Sequence, residues 1–311
     1  MGQYARNYFF VLLSLVLLVS LSCSSPKAAE TNSPIEITDQ LGRVVKLDTI
    51  PQRIISLAPS NTEILFALGL GDKVVGVTPY DDFPAEAKQK ESVGGYSTPD
   101  MEKVVALKPD LIVAATIHEK KVVPELERRN IPVVVLSPQN MSEIMQGIML
   151  LGKLTGTDGE ARKLVNNMQA RINKVSKLTQ GLSPEKRPRV FYVLWHDPLR
   201  TTGKDTFHDE LISLAGGVNI FNDVDRYNLV NLEVVLERNP QIILADTGHG
   251  SGSDAPYLWA TQESRLNGTE ARKRNQVFKI DADIVDRAGP RIVDGLEAML
   301  RLINPELSGK L

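Results

Sequence analysis

The chain has 311 residues, and 42% of them are hydrophobic, which is enough for two domains of ordinary size. Its 36 basic and 38 acidic residues leave a formal net charge of −2, so the charge balance gives no indication of nucleic-acid binding. One cysteine, Cys23, excludes an internal disulfide.

The first segment predicts an export signal over residues 1–23. Arg6 precedes an apolar run at 8–21 that has the length of a signal-peptide core and is shorter than a bilayer span. Cys23 follows at once, and residues 24–34 have the composition of a flexible stalk. This placement resembles the lipid-acceptor cysteine of bacterial lipoproteins, although Ser20 stands where those sequences usually carry an aliphatic residue. The alternative is an ordinary secretory signal, and with either one we expect export.

Apolar runs and helical patterns alternate along the first half of the chain. The runs lie at 53–57, 74–77, 110–114 and 132–136, and the helical patterns start near Asn61, Asp100, Lys120 and Ser142. Such alternation predicts a mainly parallel α/β sheet. We assign residues 35–155 to an N-terminal α/β lobe.

A long helical pattern then interrupts the alternation. Apolar residues recur at helical spacing through 158–178, which predicts one long connecting helix within residues 156–186. Strand and helix signals resume with a strand from Arg189, a helix at 206–215, strands at 241–245 and 277–280, and a last helix from about Arg291. We assign residues 187–311 to a C-terminal α/β lobe.

Two blocks of the first half recur in the second. Residues 101–114 align with 232–245 without a gap, which pairs Glu102 with Glu233, and residues 62–69 align with 209–216. Two related lobes predict a ligand cleft between them, at the carboxyl ends of their strands. A single stiff connecting helix predicts little hinge closure and a largely preformed cleft.

The sequence blocks resemble the vitamin B12, haem and ferric-siderophore class of periplasmic binding proteins. The resemblance rests on TDQLGRVVKL, RIISLAPSNTEILFALGLGDKVVGVTPYDDFP, EKVVALKPDLIVA, TTGKDTFHDELISLAGGVNIF and DRAGPRIVDGLE, which together span nearly the whole chain after the export segment. Within the class, VGVTPY and DADIVDRAGPR are most similar to vitamin B12 (cobalamin) binding proteins.

This resemblance implies a solute-binding lipoprotein of an ABC importer. It would capture cobalamin or a related corrinoid and deliver it to a permease dimer with its ATPase subunits, with no reaction and no cofactor or metal of its own. The lipid on Cys23 would anchor the monomer to the outer face of the cell membrane. Haem or a ferric siderophore is the alternative ligand.

Aromatic residues near predicted strand ends are candidates for the ligand cleft. Flat rings suit a corrin or porphyrin because they bury much area at low entropic cost, and the candidates are Tyr80, Tyr96, Trp195 and Tyr227. Tyr80, Tyr96 and Tyr227 also fall on pocket positions of the family. The alternative for each is a place in the core.

Asp283 and Arg287 follow the last predicted strand and match pocket positions of the vitamin B12 proteins. They could accept and donate hydrogen bonds at the propionamide rim of a corrin. The alternative is a surface ion pair capping the next helix.

Other residues favour the alternative ligands. His118 and His196 follow strand-like segments, and either imidazole could approach a cobalt or iron centre. Exposed loop histidines are commoner. Arg200 and Lys204 add positive charge that suits an anionic ferric siderophore.

Glu102 and Glu233 each open a predicted helix at matched points of the repeat. A carboxylate in a first turn is favoured by the helix dipole in any protein. The family resemblance implies more, namely that the pair docks on arginines of the two permease subunits.

An enzyme is not indicated. Asp246-Thr247-Gly248 resembles an aspartic-protease motif, but the chemistry needs two such carboxylates and the sequence has no second copy. The sequence also lacks a Gly-x-Ser-x-Gly elbow. A third hypothesis is a surface adhesin whose cleft holds no ligand.

Overall fold

The structure is a computed structural model that describes residues 34–248 and 254–311. The predicted export signal, Cys23 and residues 24–33 of the predicted stalk lie outside the described residues. Among the described residues, no helix combines the length and apolar character needed to cross a membrane.

The strands, in chain order, are β1 (Ile35–Thr38), β2 (Val44–Leu47), β3 (Ile54–Ser56), β4 (Val74–Val77), β5 (Glu91–Ser92), β6 (Leu111–Ala115) and β7 (Val133–Leu136) in the first half. The second half contains β8 (Arg189–Val193), β9 (Trp195–His196), β10 (Leu199–Thr202), β11 (Val218–Asn219), β12 (Tyr227–Leu229), β13 (Ile242–Thr247) and β14 (Val277–Asp281).

The helices of the first half are α1 (Pro59–Ala67), α2 (Met101–Ala106), α3 (Val122–Arg128) and α4 (Met141–Thr155), followed by the long α5 (Asp158–Thr179). The second half contains α6 (Phe207–Leu214), α7 (Leu232–Arg238), α8 (Ala255–Gln262), α9 (Glu270–Lys273), α10 (Ala282–Val285), α11 (Ile292–Ile303) and α12 (Pro305–Ser308).

Each half of the chain builds a parallel sheet. The N-terminal sheet has the order β5-β4-β3-β6-β7, and the C-terminal sheet has the order β11-β8-β13-β14. Strand β6 shows why its sequence is a continuous apolar run, because its side chains alternate between two buried clusters on opposite faces of the sheet. The predicted fold class, two α/β lobes with mainly parallel sheets, is therefore confirmed.

Helix α5 connects the lobes. It packs against α4 on one side and against α6 and α11 on the other. Its buried Met168, Ile172 and Val175 join the hydrophobic cluster that runs from the first sheet to the second. Residues 34–311 consequently form one compact unit.

The internal repeat extends to backbone conformation. Lys108 and Asn239 occupy matched positions, and both are left-handed, with φ of 47° and 45°. Gly69 and Gly216 match as well, with φ of 77° and 86°.

Side-chain contacts repeat in the same way. Arg53 donates to the carbonyls of Leu107 and Lys108 at the end of α2, and Arg189 donates to the matching carbonyls of Arg238 and Asn239 at the end of α7. The two lobes therefore share local detail as well as topology.

Sequence reasoning missed the antiparallel parts of the structure. Strands β1 and β2 form a hairpin, and β12-β10-β9 form an antiparallel sheet in the C-terminal half. Trp195 lies in β9 and Tyr227 lies in β12, two strands that the sequence patterns did not predict. These strands are short and only partly buried, so they do not form the continuous apolar runs that marked the parallel strands.

Candidate functional site

A cavity of about 520 Å³ lies between the lobes, at the carboxyl ends of parallel strands. Its walls come from the segments after β3, β4 and β5 of the first sheet and after β14 of the second: Ala58, Pro59, Ser60, Tyr80, Gly95, Tyr96, Ser97, Thr98, Ala282, Asp283, Asp286 and Arg287. This is the position where open α/β sheets hold ligands. Four predicted ligand residues meet here, namely Tyr80, Tyr96, Asp283 and Arg287.

Two tyrosines present their rings to the cavity. Tyr80 is 49% exposed and Tyr96 is 37% exposed, which is unusual for large side chains that could pack in a core. Ile117, in the turn after β6, is 52% exposed at the same edge of the sheet. The sequence analysis did not single out Ile117, since an aliphatic residue after a strand gives no chemical signal.

His118 holds the loop that carries Tyr96. It is fully buried, its Nδ1 accepts from the backbone N–H of Ala115 at 3.0 Å, and its Nε2 donates to the carbonyl of Tyr96 at 2.6 Å. Its ring also packs edge-on against the Tyr96 ring at 5.7 Å. Both ring nitrogens are occupied, so the prediction that His118 could approach a metal centre is wrong. Its hydrogen bond instead fixes the loop that carries Tyr96.

Arg287 is held by carboxylates from both lobes. Its guanidinium lies 2.6 Å from Asp82, 3.2 Å from Glu63 and 2.8 Å from Asp283, and its side chain is only 11% exposed. The ion pair with Asp283 was predicted as an alternative at the surface. The structure places this pair in the cavity wall, and Arg287 also bridges the lobes through its contacts with Glu63 and Asp82.

Arg291 completes an interlobe cluster of charged side chains, which consists of Glu63, Asp82, Asp283, Arg287 and Arg291. It contacts the carboxylate of Glu63 at 2.6 and 2.9 Å, and its guanidinium stacks 4.1 Å from the ring of Phe83. The Arg287 hydrogen bond and charge outweigh the effect of burial and hold the pKa of Asp82 below its usual range. Burial raises the pKa of Asp283, although Arg287 opposes that effect.

Tyr227 lies beside the cavity wall. Its ring is 6.0 Å from that of His208, and the Nε2 of His208 lies 2.7 Å from Asp286, which lines the cavity. Partial desolvation and the charge of Asp286 raise the pKa of Tyr227 to about 12. The ring is 46% exposed and is not itself among the lining residues.

Trp195 and His196 lie elsewhere. The indole Nε1 of Trp195 donates to the carbonyl of Asp197, and strand β9 pairs with β10 on the side away from Tyr227. His196 lines a separate groove with Glu233, Trp259 and Arg265. The structure therefore does not bring Trp195 or His196 to the cavity, because their strand forms an edge of the antiparallel sheet.

The predicted positive patch does not face the cavity either. Lys204 pairs with Asp225 at 2.9 Å, and Arg200 lies exposed on β10. Neither lines the cavity.

Glu102 and Glu233 occupy equivalent and exposed places. Each is the second residue of its helix, and each backbone N–H donates to a capping side chain, Asp100 at 3.0 Å and Asn231 at 3.1 Å. Glu102 follows closely on the cavity loop that ends at Thr98. The carboxylate of Glu233 lies 4.0 Å from the guanidinium of Arg265, and both side chains are mostly exposed.

The carboxylate of the protease-like motif does not reach the surface. Asp246 is fully buried at the end of β13 and accepts a hydrogen bond from the hydroxyl of Tyr192. Within the part of the chain that the structure describes, no cluster of three or more acidic, histidine or cysteine side chains could hold a metal.

Known proteins resemble this chain over most of its length. An uncharacterised ABC transporter substrate-binding lipoprotein of Bacillus subtilis is 32% identical over an alignment of 323 positions, which covers 98% of this chain and 99% of that protein. The crystal structure of the periplasmic vitamin B12-binding protein of Vibrio cholerae is 30% identical and superposes with a TM-score of 0.70 over 84% of this chain and 99% of its own.

A Staphylococcus epidermidis protein described as a possible iron-binding, periplasmic solute-binding protein is 30% identical, with a TM-score of 0.72 over 82% of this chain and all of its own. A profile described as that of periplasmic binding proteins matches residues 54–284. These findings confirm the resemblance stated from the sequence blocks. The chain therefore belongs to the periplasmic binding protein family of solute-binding transport proteins.

Proposed function

We propose that this protein captures a corrinoid of the vitamin B12 type, cobalamin or a related compound, outside the cytoplasm and delivers it to an ABC permease dimer with its ATPase subunits. It carries out no reaction, has no cofactor or metal of its own, and acts as a monomer. The observation that carries the proposal is a cavity that combines exposed tyrosine rings with a wall rich in carboxylates.

The rings of Tyr80 and Tyr96 supply the apolar contact. Rigid aromatic faces bury a large planar ligand with little loss of conformational entropy. Tyr96 is additionally held in place through its backbone by His118. This arrangement is preorganised for a macrocycle, which raises affinity by lowering the cost of ordering the site.

The charge of the wall favours a ligand with neutral amides. Among the described residues, four carboxylates stand beside two guanidiniums in and behind the wall: Glu63, Asp82, Asp283 and Asp286, with Arg287 and Arg291. Corrin propionamides are neutral and offer N–H donors to carboxylates. The carboxylates of haem, or an anionic ferric siderophore, would meet like charge.

Haem or a ferric siderophore stays as the second candidate. The Staphylococcus epidermidis protein described as a possible iron binder is as similar in sequence as the Vibrio cholerae vitamin B12 protein. The residues that would serve these ligands argue against them, because His118 has both nitrogens occupied and Arg200 and Lys204 are absent from the cavity lining.

Glu102 and Glu233 are proposed as the permease contacts. They are exposed at matched positions of two related lobes, and a two-fold permease needs two similar contacts. Cys23 is proposed as the lipid anchor to the outer face of the cell membrane. Its place after the apolar run and the Bacillus subtilis relative's name as a lipoprotein support this anchor.

Calorimetric titration tests the ligand. Protein without residues 1–23 is titrated with cyanocobalamin and, in parallel, with haemin and a ferric siderophore. We expect saturable one-to-one binding of cyanocobalamin with a Kd below about 1 μM. Binding of an iron ligand without any cobalamin heat would replace the corrinoid by that ligand while keeping the transport role.

A further inference from the structure

A second, polar cavity of about 600 Å³ lies between the lobes. Carboxamides and hydroxyls of the N-terminal lobe make up much of its lining, and Arg226 enters from the C-terminal lobe. The lining side chains that matter here are Gln40, Thr116, Ser137, Gln139, Gln146 and Arg226. This composition differs from that of the first cavity, the tyrosine cavity, which Tyr80 and Tyr96 line.

The two cavities lie along one edge of the N-terminal sheet. Thr116 follows β6 and Ser137 follows β7, whereas the tyrosine cavity takes its lining from the segments after β3, β4 and β5. Strand β6 is the neighbour of β3. The exposed Ile117 follows Thr116 directly and supplies apolar surface at that edge.

Residues 226–227 connect the cavities from the other lobe. Arg226, with a left-handed φ of 55°, lines the polar cavity, and Tyr227 lies beside Asp286 of the tyrosine cavity. The C-terminal lobe therefore contributes two consecutive residues, one to the polar cavity and one to the flank of the tyrosine cavity.

Arg226 is an exposed cation. Its guanidinium makes no ion pair with residues 34–248 or 254–311, and the adjacent Asp225 pairs with Lys204 at 2.9 Å. In the tyrosine cavity, by contrast, three carboxylates hold Arg287.

The carboxylates of the polar cavity are already engaged. Asp39 is buried and contacts the guanidinium of Arg43 at 2.7 Å, and it accepts from three backbone N–H groups. Glu143 accepts from the backbone N–H of Gln139 at 2.7 Å and from the amide of Asn140 at 2.9 Å. These contacts hold both carboxylates in place, and Arg226 is the basic residue among the described lining residues that can attract an anion.

We infer that the polar cavity binds the phosphodiester and sugar of the nucleotide tail that complete corrinoids carry. A guanidinium matches a phosphate diester, and carboxamides with hydroxyls match sugar hydroxyls. The inference rests on the proposed corrinoid function and adds a selectivity to it. The protein distinguishes complete corrinoids from tail-less precursors through Arg226.

Calorimetric titration with two ligands tests this selectivity. Cyanocobalamin carries the nucleotide tail, and dicyanocobinamide has the same corrin without it. We expect the wild type to bind cyanocobalamin about tenfold more tightly, which is typical of one charge-assisted contact. Arg226→Ala should weaken cyanocobalamin binding about tenfold and leave dicyanocobinamide binding unchanged.

Arg200→Ala is the matched control, since Arg200 is an exposed arginine of the neighbouring strand β10 that lines neither cavity. It should change neither affinity. Equal binding of the two ligands by the wild type, or an equal loss of both in Arg226→Ala, would overturn the inference alone. Failure of the wild type to bind either corrinoid would overturn the proposed function instead.

Discussion

Arg291 of the C-terminal lobe makes two hydrogen bonds, of 2.6 and 2.9 Å, to the buried carboxylate of Glu63 in the N-terminal lobe. The Glu63 side chain is 1% exposed, and it also contacts Arg287 at 3.2 Å. One carboxylate thus compensates two partly buried guanidiniums from the opposite lobe. Because these contacts cross between the lobes behind the cavity wall, they hold the two lobes together beside the cavity.

Glu63→Gln should destabilise the protein by about 3–5 kcal/mol, the usual effect of removing one partner from a buried ion pair. The measurement is the free energy of unfolding in urea. Glu36→Gln is the control, because Glu36 pairs with Lys46 at 2.8 Å with both side chains mostly exposed, and it should cost less than about 1 kcal/mol. Equal effects of the two substitutions would show that the interlobe cluster contributes no more than a surface pair.

Tyr96→Ala should weaken cyanocobalamin binding about tenfold or more, because the ring supplies apolar area in the cavity lining. Tyr96→Phe should bind within about twofold of the wild type, since the ring is retained. Leu258→Ala removes an exposed apolar side chain from α8, outside the cavity lining, and serves as the control. Unchanged affinity in Tyr96→Ala would remove this residue from the proposed site.

Glu102→Ala combined with Glu233→Ala should abolish uptake of labelled cobalamin by cells while calorimetric affinity stays within about twofold. Glu160→Ala, an exposed carboxylate in the first turn of α5, is the matched control and should leave uptake intact. Loss of binding in the double variant would place the two glutamates at the ligand instead of the permease.

His118 should make stability depend on pH. Burial lowers its pKa below the ordinary value of 6.5, against the opposing effect of its two backbone hydrogen bonds. As the pH falls through about 6.5, the unfolded chain takes up a proton that the folded protein still excludes, so stability falls towards acid pH. His118→Gln should show a shallower loss between about pH 7 and pH 5 in urea unfolding. An unchanged slope would mean that other groups cause the loss.

The sequence predicted the parallel sheets well because their strands are buried on both faces and appear as continuous apolar runs. It also placed Tyr80, Tyr96, Asp283 and Arg287 at one site, since residues after parallel strands meet at the same sheet edge. Trp195 was misplaced because β9 is a partly buried strand of two residues that forms no apolar run. The partners of Arg287 were unpredictable, because Glu63 and Asp82 are distant in sequence and only the packing of the lobes brings them near.

The shared left-handed turn of the two lobes allows one lobe to guide the engineering of the other. Asn239 suits φ of 45°, whereas Lys108 holds φ of 47° with a side chain that disfavours it. Lys108→Asn transfers the better choice and should raise the free energy of unfolding by several tenths of a kcal/mol, roughly the scale of relief of local backbone strain. The reverse substitution, Asn239→Lys, should lower it by a similar amount. Each turn of the repeat thus shows a second residue type that the same backbone conformation accommodates.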